Sequence, residues 1–153
     1  IITNIGGTSA DMGNAVFVAA MLELPTMAFF TKMSEKINCG TLIKFSILMF
    51  VVKHALTYFA TNMIMIYLAQ VCQMFAYALF VPASVYYVNE KIAVADRVKG
   101  QSLVTTSMTL SGVFANFAGG IMLDALGVGH VLLAGVILSI VGAVIVILTT
   151  EKV

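Results

Sequence analysis

Long apolar runs alternate with short polar segments along this sequence, and the alternation is the first guide to its structure. Five runs of about 20 residues each cover residues about 14–31, 42–60, 63–88, 102–123 and 128–150. A hydrocarbon core of roughly 30 Å is crossed by about 20 residues of α-helix, so each run is long enough to span a bilayer. The runs are apolar on consecutive residues, whereas membrane β-strands alternate in polarity. The pattern therefore predicts an all-α fold, a polytopic membrane helical bundle with five transmembrane helices.

The composition indicates a membrane protein and argues against a nucleic acid partner and a metal site. Of the 153 residues, 61% are hydrophobic and only 10% are charged, whereas charged side chains make up about a quarter of a typical soluble domain. The net charge is +1 and no basic cluster is present, so we predict no nucleic acid partner. Cys39 and Cys72 lie in different segments without metal-ligand spacing, which argues against a disulfide or a metal site. The expected surroundings are the lipid bilayer, and no cofactor is predicted.

Positive charge in the polar segments predicts the orientation of the helices. The connections after the first and third runs, with their flanks and the segment after the last run, hold the cations Lys32, Lys36, Lys44, Lys91, Arg97, Lys99 and Lys152. The opposite connections contain no lysine or arginine, so the positive-inside rule places the cationic side in the cytoplasm. We therefore expect a plasma membrane protein with Ile1 outside and Val153 inside. An odd number of spans with an external start also predicts a fragment that lacks an upstream helix.

Two ionisable residues lie deep within the apolar runs. Glu23 is the only ionisable residue between Asp11 and Lys32, and a charge at the bilayer centre costs about +2.5 to +3.5 kcal/mol on insertion scales. Its carboxyl group is therefore expected to be protonated, paired, or facing water in a pathway. Lys53 lies about two residues, or roughly 3 Å, from the middle of the second run, so the two side chains can form an ion pair. Such a pair is either structural or functional, and we favour function because intramembrane ionisable groups usually mark pathways.

His54 follows Lys53 directly and points about 100° away from it around the helix. The two side chains therefore cannot enter one cavity equally. We expect His54 to be packed or hydrogen-bonded between helices. A proton relay through His54 is the alternative, because the ordinary pKa of histidine lies near neutrality.

A stripe of polar side chains follows one face of the third run, at intervals of three, three, four and seven residues: Tyr67, Gln70, Gln73, Tyr77 and Ser84. A polar stripe in lipid must face protein or a water-filled cavity. One interpretation is a solute path lined by amide and phenol groups. The other is interhelical hydrogen bonding, worth only about 0.6 kcal/mol on average. We favour the path, because the aligned polar groups exceed what one helix contact requires.

Two prolines are expected to change the shape of the helices that contain them. Pro25 and Pro82 are the only prolines, and each lies in a run that holds candidate site residues, where we expect it to bend or loosen the helix.

In the fourth run, small residues at intervals of four predict close helix packing: Ser111, Ala115 and Gly119, with Gly112, Asn116 and Gly120 beside them. A pathway contact by Asn116 is the lesser interpretation.

Motifs for catalysis are missing from the sequence. No GxSxG, HExxH or P-loop pattern occurs, and the glycine-rich places lie inside apolar runs. The two histidines, His54 and His130, lie in different runs, which argues against a metal site or a catalytic triad. We therefore predict that the chain is not an enzyme.

Several short pieces, in this order and spacing, resemble the C-terminal half of a Major Facilitator Superfamily transporter, and look most similar to the group of lactose permease and the phenylpropionate permease-like proteins. The pieces are Glu23-Leu24-Pro25, Lys53 after an apolar run, Gln73-Met74-Phe75 leading to Phe80-Val81-Pro82-Ala83, and Gln101 opening a run with Gly119-Gly120 and Leu123-Asp124. The resemblance implies that the five runs are the eighth to twelfth helices of a twelve-helix protein.

The resemblance also implies roles for individual positions. Glu23 falls where lactose permease has a glutamate in its eighth helix, and Lys53 where it has an arginine in its ninth. Gln73 and Ala76 depart from the histidine and the glutamate of its tenth helix, which are implicated in proton coupling. Coupling in this chain would therefore depend on Glu23 or on a residue of the missing half.

The implied function is secondary active transport of a small polar solute, such as a sugar, a nucleoside or an organic acid. Proton coupling and alternating access between two helical bundles are expected, with the missing N-terminal half as partner. The expected solute and proton pathway is lined by Glu23, Lys53, Gln70, Gln73, Tyr77 and Asn116. The alternative function is a membrane scaffold or assembly subunit without transport activity, in which the polar groups only join helices.

Overall fold

The protein is represented by a computed structural model that describes residues 2–151. Its five long helices are α1 (Ser9–Ser34), α2 (Cys39–Tyr58), α3 (Met63–Lys91), α4 (Arg97–Leu126) and α5 (Val128–Thr149). Residues 2–151 contain no strand, which confirms the predicted all-α fold. All 5 helices are long and apolar enough to cross a membrane. The predicted placements of Ile1, Lys152 and Val153 lie outside the described residues.

Polar side chains determine where the first three helices begin. Thr8 and Asp11 form a capping box at α1, in which the Asp11 backbone N–H donates to the Thr8 hydroxyl at 3.3 Å and the Thr8 backbone N–H donates to the Asp11 carboxylate at 2.8 Å. Asn38 accepts from Thr41 N at the start of α2, and Asn62 accepts from Met65 N at the start of α3. These caps satisfy backbone N–H groups that have no partner within the helix.

The helices extend past most of the apolar runs because hydrogen bonding continues into the polar segments. α1 is longer than its predicted span at both ends, and α3 continues three residues further, to Lys91. α2 differs, because it ends at Tyr58 and the following turn leads into the Asn62 cap of α3. Apolarity therefore marks the part of a helix that suits lipid, and side-chain caps fix where α1, α2 and α3 begin.

α3 is the central helix of the bundle. It packs against both α1 and α2, and α5 packs against α2. Small side chains of α3 are completely buried at these contacts, namely Ala69, Ala76 and Ala78. Small residues let neighbouring helices approach closely in a membrane protein. A core cluster near one end of the bundle is formed by Phe30, Cys39, Leu42, Ile43, Leu79 and Ala83.

α4 is held much more loosely than the other helices. None of its residues is buried, and it packs on α5 and touches α3. A Cβ atom added at Gly112, Gly119 or Gly120 would meet no atom within 4 Å. The close packing predicted from these small residues is therefore not formed among residues 2–151. Ala115 and Gly119 instead line an open cleft of about 230 Å³ between α4 and α5.

Candidate functional site

Three polar side chains from three different helices are joined by hydrogen bonds within the membrane-spanning part of the bundle. Lys53 of α2 donates through Nζ to Oε1 of Gln73 on α3. Gln73 donates through Nε2 to Oε1 of Glu23 on α1 at 3.0 Å. All three residues are half-buried. We call this Lys53–Gln73–Glu23 arrangement the polar bridge.

The direct ion pair between Glu23 and Lys53 that the sequence suggests is not formed. The ion pairs within 4.0 Å among residues 2–151 are Lys91–Glu151 and Lys99–Asp96. The Gln73 side chain lies between the two opposite charges, because an amide carries an acceptor at one end and donors at the other. Only one orientation of the amide satisfies both neighbours, with its oxygen toward the ammonium group and its nitrogen toward the carboxylate.

Pro25 and Pro82 lie inside helices that the structure shows as unbroken. Each proline lacks a backbone N–H and so removes one hydrogen bond of its helix. On α1, the Thr26 hydroxyl donates to the carbonyl of Leu22 at 3.3 Å, one turn before it. Helix α1 therefore continues past Pro25 without a break. Glu23 lies in a turn that has fewer backbone hydrogen bonds than the rest of the helix.

His54 faces α5 and takes no part in the polar bridge. Its ring stacks on Phe50 with centroids 6.4 Å apart, and a Cβ atom at Gly135 of α5 would lie 3.8 Å from its Cδ2. Its buried Nδ1 has no hydrogen-bond partner among the described residues. The geometry supports the packed interpretation of this histidine over a proton relay connected to Lys53.

The remaining polar residues of α3 flank the polar bridge. Gln70 is half-buried and Tyr77 is 39% exposed, and they lie one turn to either side of Gln73 on the same helical face. Neither side chain hydrogen-bonds to the bridge. Ser84 ends the stripe differently, because it is buried and its hydroxyl donates to the Val81 carbonyl at 2.7 Å. The stripe is therefore partly exposed around Gln73 and buried at Ser84.

Asn116 is the one candidate that the structure does not bring to this group. It lies exposed on α4, and its Nδ2 donates to the carbonyl of Gly112 in its own helix at 2.9 Å. No cluster of three or more His, Cys, Asp or Glu side chains able to hold a metal occurs among residues 2–151. The chemistry of the bridge is thus hydrogen bonding and charge, offered by one cation, one amide and one carboxyl group.

Sequence reasoning placed Gln73 in the pathway but missed its position between the two charges. Matched depth identified Glu23 and Lys53 as neighbours, and the interval pattern placed Gln73 on the polar face of α3. Neither pattern indicates which helix supplies the side chain that lies between the two charged groups. One signal in the sequence could have indicated this position of Gln73. Its long side chain ends in both an acceptor and a donor, and it lies at a depth similar to that of both charged groups.

Comparison with known proteins gives two matches. The family model described as Major Facilitator Superfamily matches residues 1–153. A protein from Deinococcus radiodurans described as "Putative sugar efflux transporter" is 30% identical over 119 residues, which are 75% of this chain and 30% of that protein. The chain therefore spans about a third of the length of this curated relative. No solved structure matches the chain significantly.

Proposed function

The chain belongs to the Major Facilitator Superfamily, and from this premise we propose that it is the C-terminal half of a secondary transporter that works by alternating access. In this proposal the five helices are the eighth to twelfth of twelve, and the N-terminal half of the same protein completes the pathway. The finer likeness to the lactose permease and phenylpropionate permease-like group is part of the proposal. It is supported by the positions of Glu23 and Lys53. We also propose a plasma membrane location, in which the positive-inside rule supports a cytoplasmic position for the cationic loops.

The polar bridge is the observation that carries this proposal, because it indicates what kind of solute the pathway binds. Gln73 accepts from Lys53 and donates to Glu23, so the two charged groups offer one donor and one acceptor across a short gap. A hydroxyl group also accepts and donates, and a sugar carries several of them. We therefore propose a sugar as the solute, in preference to an organic acid whose carboxylate would approach Glu23 with like charge. The description of the Deinococcus relative agrees with this choice.

Glu23 is the proposed site of proton coupling. An ionised carboxylate only accepts hydrogen bonds, whereas a protonated one also donates. Protonation of Glu23 therefore weakens its hold on the Gln73 amide and frees that amide for a solute hydroxyl. Proton binding and solute binding are then linked by a coupling free energy, as symport or antiport requires.

The other candidates contact the solute around this centre. Gln70 and Tyr77 lie one turn to either side of Gln73, with polar groups that do not take part in the bridge. We assign them solute contacts that select among sugars and do not affect coupling. Asn116 joins the pathway from α4 in the same proposal. No catalytic role is proposed for any of these residues.

Transport by the full-length protein in proteoliposomes tests the proposal. Labelled sugars, nucleosides and organic acids are supplied with and without an imposed proton gradient. We expect gradient-driven accumulation of a sugar, lost at least tenfold in Glu23→Gln and in Lys53→Met. Glu35→Gln is the matched control, because Glu35 is an exposed carboxylate beyond the end of α1. Accumulation that survives both bridge variants would remove the bridge from the mechanism.

A scaffold or assembly subunit remains the second candidate, and the polar bridge itself is the observation that favours it. Hydrogen bonds from Gln73 join α1, α2 and α3, which is also what a purely structural network does. In that case the double variant Glu23→Gln/Lys53→Met keeps the biological function of the full-length protein. The wild-type protein would then transport none of the solutes in the panel.

A further inference from the structure

Glu151 reaches back from the end of α5 to α3, at the end of the bundle that bears the cationic connections. α5 ends at Thr149, and Glu151 lies just beyond it. The Glu151 backbone N–H donates to the Tyr87 hydroxyl of α3 at 3.3 Å, and its carboxylate accepts from Nζ of Lys91 on the same helix. One residue thus makes two polar contacts with the last turns of α3. We call Glu151, together with Tyr87 and Lys91, the strap.

The strap joins two helices that otherwise make little contact with each other. α2 packs against both α3 and α5, whereas α3 and α5 share no extensive interface within residues 2–151. α2 therefore lies between them, and it begins at Cys39 at the same end of the bundle. The contacts of Glu151 thus hold together the two helices that flank the first turn of α2.

The thiol of Cys39, in this first turn, is buried next to the strap. Cys39 is only 2% exposed and belongs to the core cluster. Tyr87 of α3 and Val146 of α5 both pack against the same cluster. Because these two residues lie about one turn before Lys91 and Glu151, a separation of the ends of α3 and α5 would loosen the packing around the Cys39 thiol.

The strap is a contact that can open at little cost. The side chains of Lys91 and Glu151 are 37% and 72% exposed, so both charged groups already reach solvent. An exposed ion pair contributes little to stability and is weakened by salt. Its loss therefore changes the balance between two arrangements by a small factor and leaves the core of the bundle intact.

We propose that the strap is a conformational switch, which when closed keeps the ends of α3 and α5 together around the first turn of α2, and when open exposes Cys39. α2 also supplies Lys53 to the polar bridge. In the proposed transporter, the strap thus regulates the pathway from its cytoplasmic end. The opening itself does not depend on solute or proton coupling, and its test measures the exposure of a thiol and not transport.

The rate at which Cys39 reacts with N-ethylmaleimide measures the opening, because buried cysteines are inert. The full-length protein is labelled in mild detergent, and mass spectrometry of its peptides follows Cys39 and Cys72 separately. We expect Glu151→Gln and Lys91→Gln to speed the labelling of Cys39 about twofold to fivefold, as the loss of an exposed ion pair allows. The labelling rate of Cys72, which is half-buried on α3, should stay the same.

Two comparisons separate the strap from a general loss of stability. Asp96→Asn is the matched control, because the exposed Asp96–Lys99 ion pair lies within one turn at the start of α4 and joins no two helices. Cys39 should react in this variant at the wild-type rate. The double variant Lys91→Glu/Glu151→Lys re-forms the pair with its charges exchanged, so slow labelling of Cys39 should return.

Ionic strength gives an independent test of the same contact. In about 1 M salt the Debye length is about 3 Å, so the ion pair of the wild type is screened. Labelling of Cys39 should then approach the rate of Glu151→Gln, and the rate of that variant should change little. Equal labelling of Cys39 in wild type and Glu151→Gln would overturn the proposal. An equal rise at Cys39 and Cys72, or the same rise in Asp96→Asn, would overturn it as well.

Discussion

At the scale of single residues, Gln73 determines how two opposite charges coexist inside the bundle. Its amide gives Lys53 an acceptor and Glu23 a donor, so neither charged group is left without a partner. An apolar side chain of similar size would leave both charged groups without these hydrogen bonds. The desolvation cost of a half-buried charge is then no longer offset by hydrogen bonds. Gln73 thus contributes to stability as well as to the proposed pathway.

Gln73→Leu is therefore expected to destabilise the protein by about 1–3 kcal/mol, because it removes two hydrogen bonds to charged groups. Thermal unfolding in detergent measures the change. Gln70→Leu is the control, since it alters the same helical face without touching the bridge. A Gln73→Leu protein as stable as the control would show that the bridge contributes nothing to the fold.

Two glycines make a second prediction at this scale. A Cβ atom at Gly7 would lie 2.9 Å from Sδ of Met63 and 3.0 Å from the backbone oxygen of Ile2, whereas one at Gly13 would meet nothing within 4 Å. Gly7→Ala should cost about 1–3 kcal/mol of stability through overpacking. Gly13→Ala should stabilise by up to about 1 kcal/mol, because alanine favours helix. Thermal unfolding compares the two, and a reversed order of stability would contradict the packing at Gly7.

At the scale of the helices, much of the structure was predictable from the sequence. The apolar runs gave the number and place of the five helices, and the Thr8–Asp11 pattern is a recognisable start for α1. The direct Glu23–Lys53 pair was not formed, because depth along a helix does not reveal which side chain from a third helix reaches the gap. The small residues of α4 mark a face that allows close approach, but their spacing cannot say which helix approaches it.

One ion pair ties two helices together at their ends and gives a pH-dependent prediction. Glu151, just beyond α5, hydrogen-bonds to Lys91 at the end of α3, and its backbone N–H donates to the Tyr87 hydroxyl at 3.3 Å. The Lys91 hydrogen bond and charge lower the pKa of Glu151 below its ordinary value of 4.5. A lowered pKa means that the stabilisation is complete above about pH 4.5 and is lost as the pH falls through the lower folded-state pKa.

Glu151→Gln should therefore lower stability slightly at neutral pH, and the difference from wild type should disappear in acid. The effect is small because the pair is exposed and screened by salt. Thermal unfolding of both proteins from pH 7 down to pH 3, at low and high salt, measures it. A difference that grows as the pH falls would contradict the sign of the pKa shift.

At the scale of the whole molecule, the polar bridge lies where the main helix contacts converge. α3 packs on both α1 and α2, and the bridge joins these three helices across that junction. A movement of α1 relative to α3 would break the Gln73–Glu23 hydrogen bond before it disturbed the contact of α2 with α3. In the proposed transporter, this makes Glu23 the part of the bridge that responds to solute, to protons and to the position of the helices.

Sugar-driven proton flux distinguishes a coupling role of Glu23 from a structural one. The full-length protein is placed in vesicles that contain a pH-sensitive dye, and a transported sugar is added without an imposed proton gradient. We expect a sugar-dependent proton flux in the wild type and none in Glu23→Gln, in which residue 23 stays uncharged. An equal proton flux in Glu23→Gln would show that coupling lies elsewhere and that the polar bridge is structural.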